Sequence, residues 1–223
     1  MKLQQGLNYC KERPHRLELE ATFMYDEFVA QSTDTRDYKM GKRLEDVADT
    51  RRRIVEAAVE LHGTVGPANT TMSAIADKAG VQRSTLYRHF PDDNAIFGAC
   101  TSHWIARHPW PQIEQWRQFE DPTQRLLHGL TELYDYYSDN RQMLYNSMRD
   151  VEVMPEFVGE ISREQHAATV SVLIEAFDRD DEDLRAAVSL AVDFRTWSSL
   201  ADAGTSPEDA ASLMARMVAP LAG

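Results

Sequence analysis

The chain has 223 residues, 43% of them hydrophobic and 27% charged, with a net charge of −12 at pH 7. That balance excludes a disordered chain, which lacks the apolar residues to bury a core. No apolar run approaches the roughly 20 residues that span a bilayer. Two cysteines, Cys10 and Cys100, are too few for a disulfide framework or a thiolate metal site. With no apolar leader segment at the N-terminus, the expected compartment is the cytoplasm.

Charge divides the chain into three parts. Residues 1–40 hold six basic and seven acidic residues, residues 41–95 eight of each, and residues 96–223 ten arginines against 21 acidic residues. A neutral module with clustered arginines therefore precedes a strongly acidic one, which is a domain signal.

Residues 1–40 carry no sustained pattern beyond a short helical stretch at 17–29. They read either as a poorly ordered arm or as sequence upstream of a true start at Met40. Ile54, Ala58, Leu61 and Val65 then fall on one helical face, ended by Gly63 and Gly66-Pro67. Thr71 caps a second helix that buries Ile75 and Ala79. Gly80 supplies a turn, and a third helix runs from Gln82 to His89 with Val81, Leu86 and Phe90 inward. Asp92 or Asp93 caps a fourth, carrying Ile96 and Phe97.

Beyond residue 100, Pro and its preceding Asp or Ser mark helix starts. Helices are expected at 123–138, 140–150, 155–178, 182–202 and 207–219. Leu126, Leu130, Leu133 and Tyr137 line the first. Ser206 and Asp209 form a capping-box pattern. No alternating strand pattern appears, so the expected fold class is all-α.

Two short helices joined by a glycine turn form a helix-turn-helix, whose second helix enters the DNA major groove. This explains the polar run after Gly80. Gln82, Arg83, Ser84, Thr85, Tyr87, Arg88 and His89 supply hydrogen-bonding groups for base edges and phosphates. Arg51, Arg52, Arg53 and Thr71 are further candidates for phosphate contact.

The run from Arg51 to Phe97 resembles the DNA-binding domain of the TetR family of bacterial transcriptional regulators. The matching elements are Ile54, Ala57-Ala58, Leu61, Gly66, Thr71, Ile75-Ala76, Ala79-Gly80-Val81, Thr85-Leu86-Tyr87 and His89-Phe90. The resemblance covers about residues 48 to 100. It implies a three-helix DNA-binding head with a helix-turn-helix, followed by a larger helical regulatory and dimerisation domain that usually takes a small effector. The domains implied are 41–95 for the head and 96–223 for the rest. Three positions depart from the family pattern: His62 replaces a frequent Phe, Gln82 a preferred Ser, and Asp93 a phosphate-gripping Lys.

The acidic half is rich in aromatics, and small-molecule pockets are mostly apolar with a few placed polar groups. Trp104, Trp116, Tyr134, Tyr137 and Tyr145 are the candidate cavity residues. Helices near 155–178 and 182–202 carry apolar stripes broad enough to need a partner subunit as cover, which suits a homodimer. His103 and His108 are five residues apart and do not share a face for a metal. With no ordered triad, metal motif or glycine-rich phosphate loop, neither an enzyme nor a cofactor is expected. The function expected is a repressor released from a palindromic duplex operator by a small effector of unknown identity. The alternative is a DNA-binding regulator controlled by a partner protein, which a closed, fully packed body would favour.

Overall fold

A computed structural model describes residues 35–177 and 182–222. The chain separates into a unit ending at Ala48 and one beginning at Asp49. Ten α-helices follow one another, with no strand among the described residues: α1 Thr35–Thr64, α2 Met72–Ala79, α3 Arg83–His89, α4 Asp93–Arg107, α5 Pro122–Asp139, α6 Arg141–Arg149, α7 Glu156–Ile174, α8 Glu182–Val192, α9 Phe194–Asp202 and α10 Pro207–Val218. The helical stretch expected at 17–29 lies outside the described residues.

Helix α1 begins before Met40, earlier than its apolar pattern suggests, and residues 41–48 are exposed throughout. Its inward face is Ile54, Val55, Ala57 and Ala58. Val65, expected on that face, is exposed, because the helix has already ended at Thr64.

The helix-turn-helix forms as its local signals demand. Thr71 accepts a hydrogen bond from the Ala74 N–H at the start of α2, satisfying one of the orphan donors of a helix N-terminus. Gly80 ends α2 at φ 65°, a left-handed conformation that costs any residue with a Cβ. Leu86 and Phe90 are fully buried against Ile54, Ile75 and Ile96. Asp92 caps α4 by accepting from the Ala95 N–H at 2.8 Å. Residues 54–100 thus close one small core of their own.

The second core belongs to α5 and α7–α10, with Trp116 from a 3-10 turn at Ile113–Gln118. Leu126, Leu130, Leu133 and Tyr137 all point into it. Ser206 accepts from the Asp209 N–H, and its own hydroxyl donates to the Asp209 carboxylate. The box therefore closes through the two side chains.

Two expected helices are shorter than their apolar patterns. The one expected at 155–178 starts at Glu156 and ends at Ile174. The one expected at 182–202 is broken at Asp193, whose carboxylate accepts from the Arg195 N–H at 2.7 Å and starts α9. The break frees carbonyls at the end of α8. Tyr134 donates to the Ala191 carbonyl and Tyr137 to the Val192 carbonyl, both at 2.7 Å.

Helix α6 joins the two cores. Asn146 is fully buried, and its amide nitrogen donates to the carbonyls of His62 and Gly63 at 3.0 Å each, at the end of α1. Its amide oxygen accepts from Gln142 at 3.1 Å. Arg149 donates to the Val65 carbonyl, and Asp150 accepts from the Ala68 N–H. Arg149 and Asp150 also pair with each other. The Arg149 guanidinium holds the Asp150 carboxyl below the usual carboxylate range. Gly66, at φ 92°, leaves room for this pair where a Cβ would collide with both side chains.

Two predictions follow from this junction. Asn146→Ala strands two carbonyls at a largely buried site, so it is expected to destabilise the chain by about 1–3 kcal/mol in urea titration. Gln142→Ala, which removes only the partner of the amide oxygen, is expected to cost less. The second concerns His62, which is buried and stacked on Phe97 at 4.9 Å. Burial lowers its pKa to about 4. The unfolded chain takes up this proton near pH 6.5, whereas the folded chain refuses it down to about pH 4. The stability is therefore complete above pH 6.5 and is lost as pH falls toward 4, by about 2 kcal/mol at pH 5. His62→Phe is expected to lose less stability than the parent between pH 7.5 and pH 5. Equal losses would show that His62 is not held neutral.

Candidate DNA-reading face and effector cavity

Helix α3 presents one polar side to solvent. Gln82, Arg83, Ser84, Tyr87 and Arg88 are exposed, Thr85 and His89 half-buried, and Leu86 inward. Gln82 occupies the N-cap position without a capping side-chain bond, which leaves its amide free for an outside partner. Arg83 Nη2 lies 3.4 Å from the Tyr87 hydroxyl, with the guanidinium 5.8 Å from the ring centroid. The pair shares one surface, one turn apart.

The remaining candidates on the head are engaged within it to different degrees. Arg51 Nη1 donates to the His89 carbonyl at 3.1 Å, and its guanidinium sits 4.2 Å over the Phe90 ring. It therefore fastens the end of α3 to α1. Arg52 bridges Asp49 and Glu56, and Arg53 pairs with Asp49 at 3.4 Å. These are exposed pairs, worth little in water, and a phosphate can replace the carboxylates. Thr71 spends its hydroxyl oxygen on the cap of α2. The His89 ring buries its Nε2 with no hydrogen-bond partner. Burial first, then the charges of Arg88 and Arg51, lower its pKa. That nitrogen is turned away from solvent.

A cavity of about 310 Å³ lies between the two cores. It is lined by His62 of α1, Phe97 and Trp104 of α4, Tyr137 of α5, and Leu144 and Met148 of α6. Trp104 stacks on His108 at 3.6 Å. Cys100 also lines the wall. Burial pushes its thiol up to about 12, so it is an apolar wall group rather than a nucleophile.

Of the five aromatics singled out from the sequence, Trp104 and Tyr137 line this cavity. The other three are placed elsewhere. Trp116 is fully buried in the body core, where its indole donates to Glu132 at 2.6 Å. Tyr134 is buried in the same core and spends its hydroxyl on the Ala191 carbonyl. Tyr145 is 52% exposed on the outer side of α6. Helical spacing could not separate these positions, because an aromatic stripe reads alike whether it meets a core or a void.

Several residues of the site carried no sequence signal of their own. Trp110 lines the cavity and donates to Thr169 at 3.3 Å. Asn146 had one usable signal: asparagine is a weak helix former, so its place inside a helix marks a tertiary hydrogen bond. Among the described residues no group of His, Cys, Asp or Glu could hold a metal ion, and no helix is long and apolar enough to cross a membrane.

Residues 54–100, the whole of the small core, match the family model for bacterial regulatory proteins of the tetR family. The chain is 26% identical over 155 residues to the HTH-type transcriptional regulator AcrR of Shigella flexneri, covering 65% of this chain and 66% of that protein. It is 42% identical over 61 residues to an uncharacterised HTH-type transcriptional regulator of Mycobacterium tuberculosis, covering 27% of this chain and 32% of that protein. The matched stretches thus span slightly less than two thirds of the first and about a third of the second. Among solved structures, NalD, the secondary repressor of the MexAB-OprM multidrug efflux pump in Pseudomonas aeruginosa, superposes with a TM-score of 0.54 at 21% identity, covering 78% of this chain and 95% of that chain. That likeness is one of fold. These relatives are transcriptional regulators, not enzymes. Residues 54–100 thus match the tetR family model in sequence, and the chain as a whole resembles NalD in fold.

Proposed function

We propose that the protein binds palindromic duplex DNA as a homodimer through the exposed side of α3, and that a small molecule in the cavity weakens that binding. The division of labour is a head, residues 41–95, and a body, residues 96–223. The observation that carries the reading is the composition of the cavity wall. Helix α1 of the head, α4, which starts in the head and runs into the body, and α5 and α6 of the body line the same void, so an occupant touches the elements that orient the reading helix. A void of this size also weighs against a body controlled solely by a partner protein, for which a packed interior would suffice. The repressor role is the simplest form of the reading, since occupancy of a promoter by itself blocks transcription.

Arg83 is the base-reading arginine of this proposal and Arg88 a phosphate contact; among the described residues Arg88 has no ion-pair partner. Arg51 supports α3 from behind. Helix α4 carries Trp104 from the cavity to the head, and α6 carries Asn146 to the end of α1, so both can transmit a change of cavity shape. The acidic body, with a net −11 over residues 96–223, is repelled by phosphates and stays off the duplex.

The two-fold axis needs an apolar face. The stripe of Leu184, Val188, Ala191 and Trp197 is buried within the subunit under α5, α7 and α10. On α8 and the adjoining α10 the large apolar residues left exposed are Leu190, at 58% exposure, and Met217, at 59%. The proposed dimer therefore pairs the outer faces of α8 and α10, with the outer side of α7 next to them.

Selection from a random duplex pool tests the DNA reading and is expected to return a palindrome. On that palindrome Arg83→Ala is expected to cost about 1–3 kcal/mol and to relax preference at one base pair. Arg88→Ala is expected to weaken all sequences alike and to reduce the salt slope by about one. Unchanged affinity and preference in Arg83→Ala would remove α3 as the reading helix. For assembly, the double variant Leu190→Glu/Met217→Glu is expected to sediment as a helical monomer with weakened operator binding. A persistent dimer would place the two-fold axis elsewhere.

A further inference from the structure

The body holds 21 acidic residues and ten arginines over residues 96–223, so an arginine there has carboxylates in plenty to pair with. Most of its described arginines do take partners. Arg117 holds Glu175, Arg141 holds Asp202, Arg149 holds Asp150 and Arg107 reaches Glu56. The buried Arg125 donates to three carbonyls, and Arg216 donates to Ser212. Arg185 is engaged as well. Among the described residues of this half, two guanidinium groups have no partner: those of Arg163 and Arg195. Both line the effector cavity.

Their local settings differ. Arg163 folds back along α7 toward Gly159, one turn earlier, where a Cβ would stand 3.1 Å from its Nη1. The glycine thus leaves room for the guanidinium to lie against the cavity side of the helix. Arg195 is in the first turn of α9, two residues after Asp193. Among the described residues the Asp193 carboxylate is the one acidic group on the cavity wall, and it is committed to the backbone N–H of Arg195 at the helix start. The cavity wall therefore carries two free planar donors and one carboxylate already in use. The wall also carries an aromatic and thioether set: Phe97, Trp104, Met143 and Met148.

An unpaired guanidinium presents five N–H donors in a fork that matches a carboxylate. In a domain of net −11 a second acidic molecule is repelled unless cations are reserved for it. We propose that the effector is an anionic amphiphile with a carboxylate at one end, its apolar body against Trp104 and Met148 and its carboxylate at Arg163 and Arg195. This rests on the effector reading above, and it names the chemical class that reading leaves open. The carboxylate can belong to an acyl chain or to an aryl acid; both share the same recognition.

Matched probe sets test it with the full-length protein. One set is octanoate, octanol and octylamine, and the other is 4-phenylbutyrate, 4-phenylbutanol and 4-phenylbutylamine, with binding read by calorimetry. Within at least one set the acid is expected to bind roughly tenfold or more tighter than the alcohol and the amine, as a charge-assisted pair implies. The set that shows the preference identifies acyl or aryl recognition. Arg163→Gln/Arg195→Gln, both exposed positions, is expected to keep its melting temperature and its alcohol binding while losing the preference for the acid. Equal or tighter binding of the amine, no binding of any probe, or an acid preference that survives the double substitution overturns the proposal. Release of the selected palindrome is measured separately. Acid binding that depends on the arginines but leaves the DNA bound keeps this inference and removes the effector reading.

Discussion

The amide of Asn146 is the point on which the two halves turn. A helix leaves its last carbonyls without intrahelical donors, and at the end of α1 two of them sit where water has little access. One side chain serves both, and its own oxygen is satisfied by Gln142. A buried polar group complete in all its bonds fixes geometry, because any displacement strands a carbonyl. Around it, Arg149 and Asp150 hold the turn after α1 by the Val65 carbonyl and the Ala68 N–H. The head thus meets α6 through directional bonds, whereas its own interior is held by apolar packing.

This arrangement gives α6 two faces with different duties. Leu144, Ser147 and Met148 fall within one arc of the helix and line the cavity. Asn146 and Arg149 fall on the opposite arc and hold α1. At 100° per residue no shift of the first arc leaves the second in place. Helix α4 offers the complementary route, with Asp92 capped in the head at one end and Trp104 stacked on His108 at the other. The cavity is therefore bounded by the two elements that carry the head.

The head was legible in the sequence because its signals are local. Thr71, Gly80 and Asp92 each act within three or four residues, and Leu86 and Phe90 are neighbours in the chain as in the core. The body was legible as helices but not as breaks. Apolar residues continue through 184–197, so periodicity predicts one helix. The break at Asp193 becomes favourable only because Tyr134 and Tyr137, more than fifty residues earlier, supply donors to the Ala191 and Val192 carbonyls. The same long-range pairing explains the cavity residues. Tyr134 looked like Tyr137 in the sequence, yet one ring is wholly enclosed and the other also borders the void. Arg51 to Arg53 read as a phosphate-binding run, but Arg51 is claimed by Phe90 and the His89 carbonyl. The tertiary partner decides each case, and the sequence does not print it.

The energies fit the proposed switch if it is of modest size. A coupling between two ligands is typically about 1–3 kcal/mol, and an effector contributes no more than the difference in its affinity for the two arrangements. Disrupting the head core would exceed that range, since emptying a single Leu86 or Ile54 position costs about 2–5 kcal/mol. Loosening the Asn146 contact falls within it. The head can therefore keep its internal structure while changing its angle to the body. In the proposed dimer such a movement would alter the separation of the two reading helices without altering either one, and palindrome spacing is the property of DNA that a rigid pair of heads would measure.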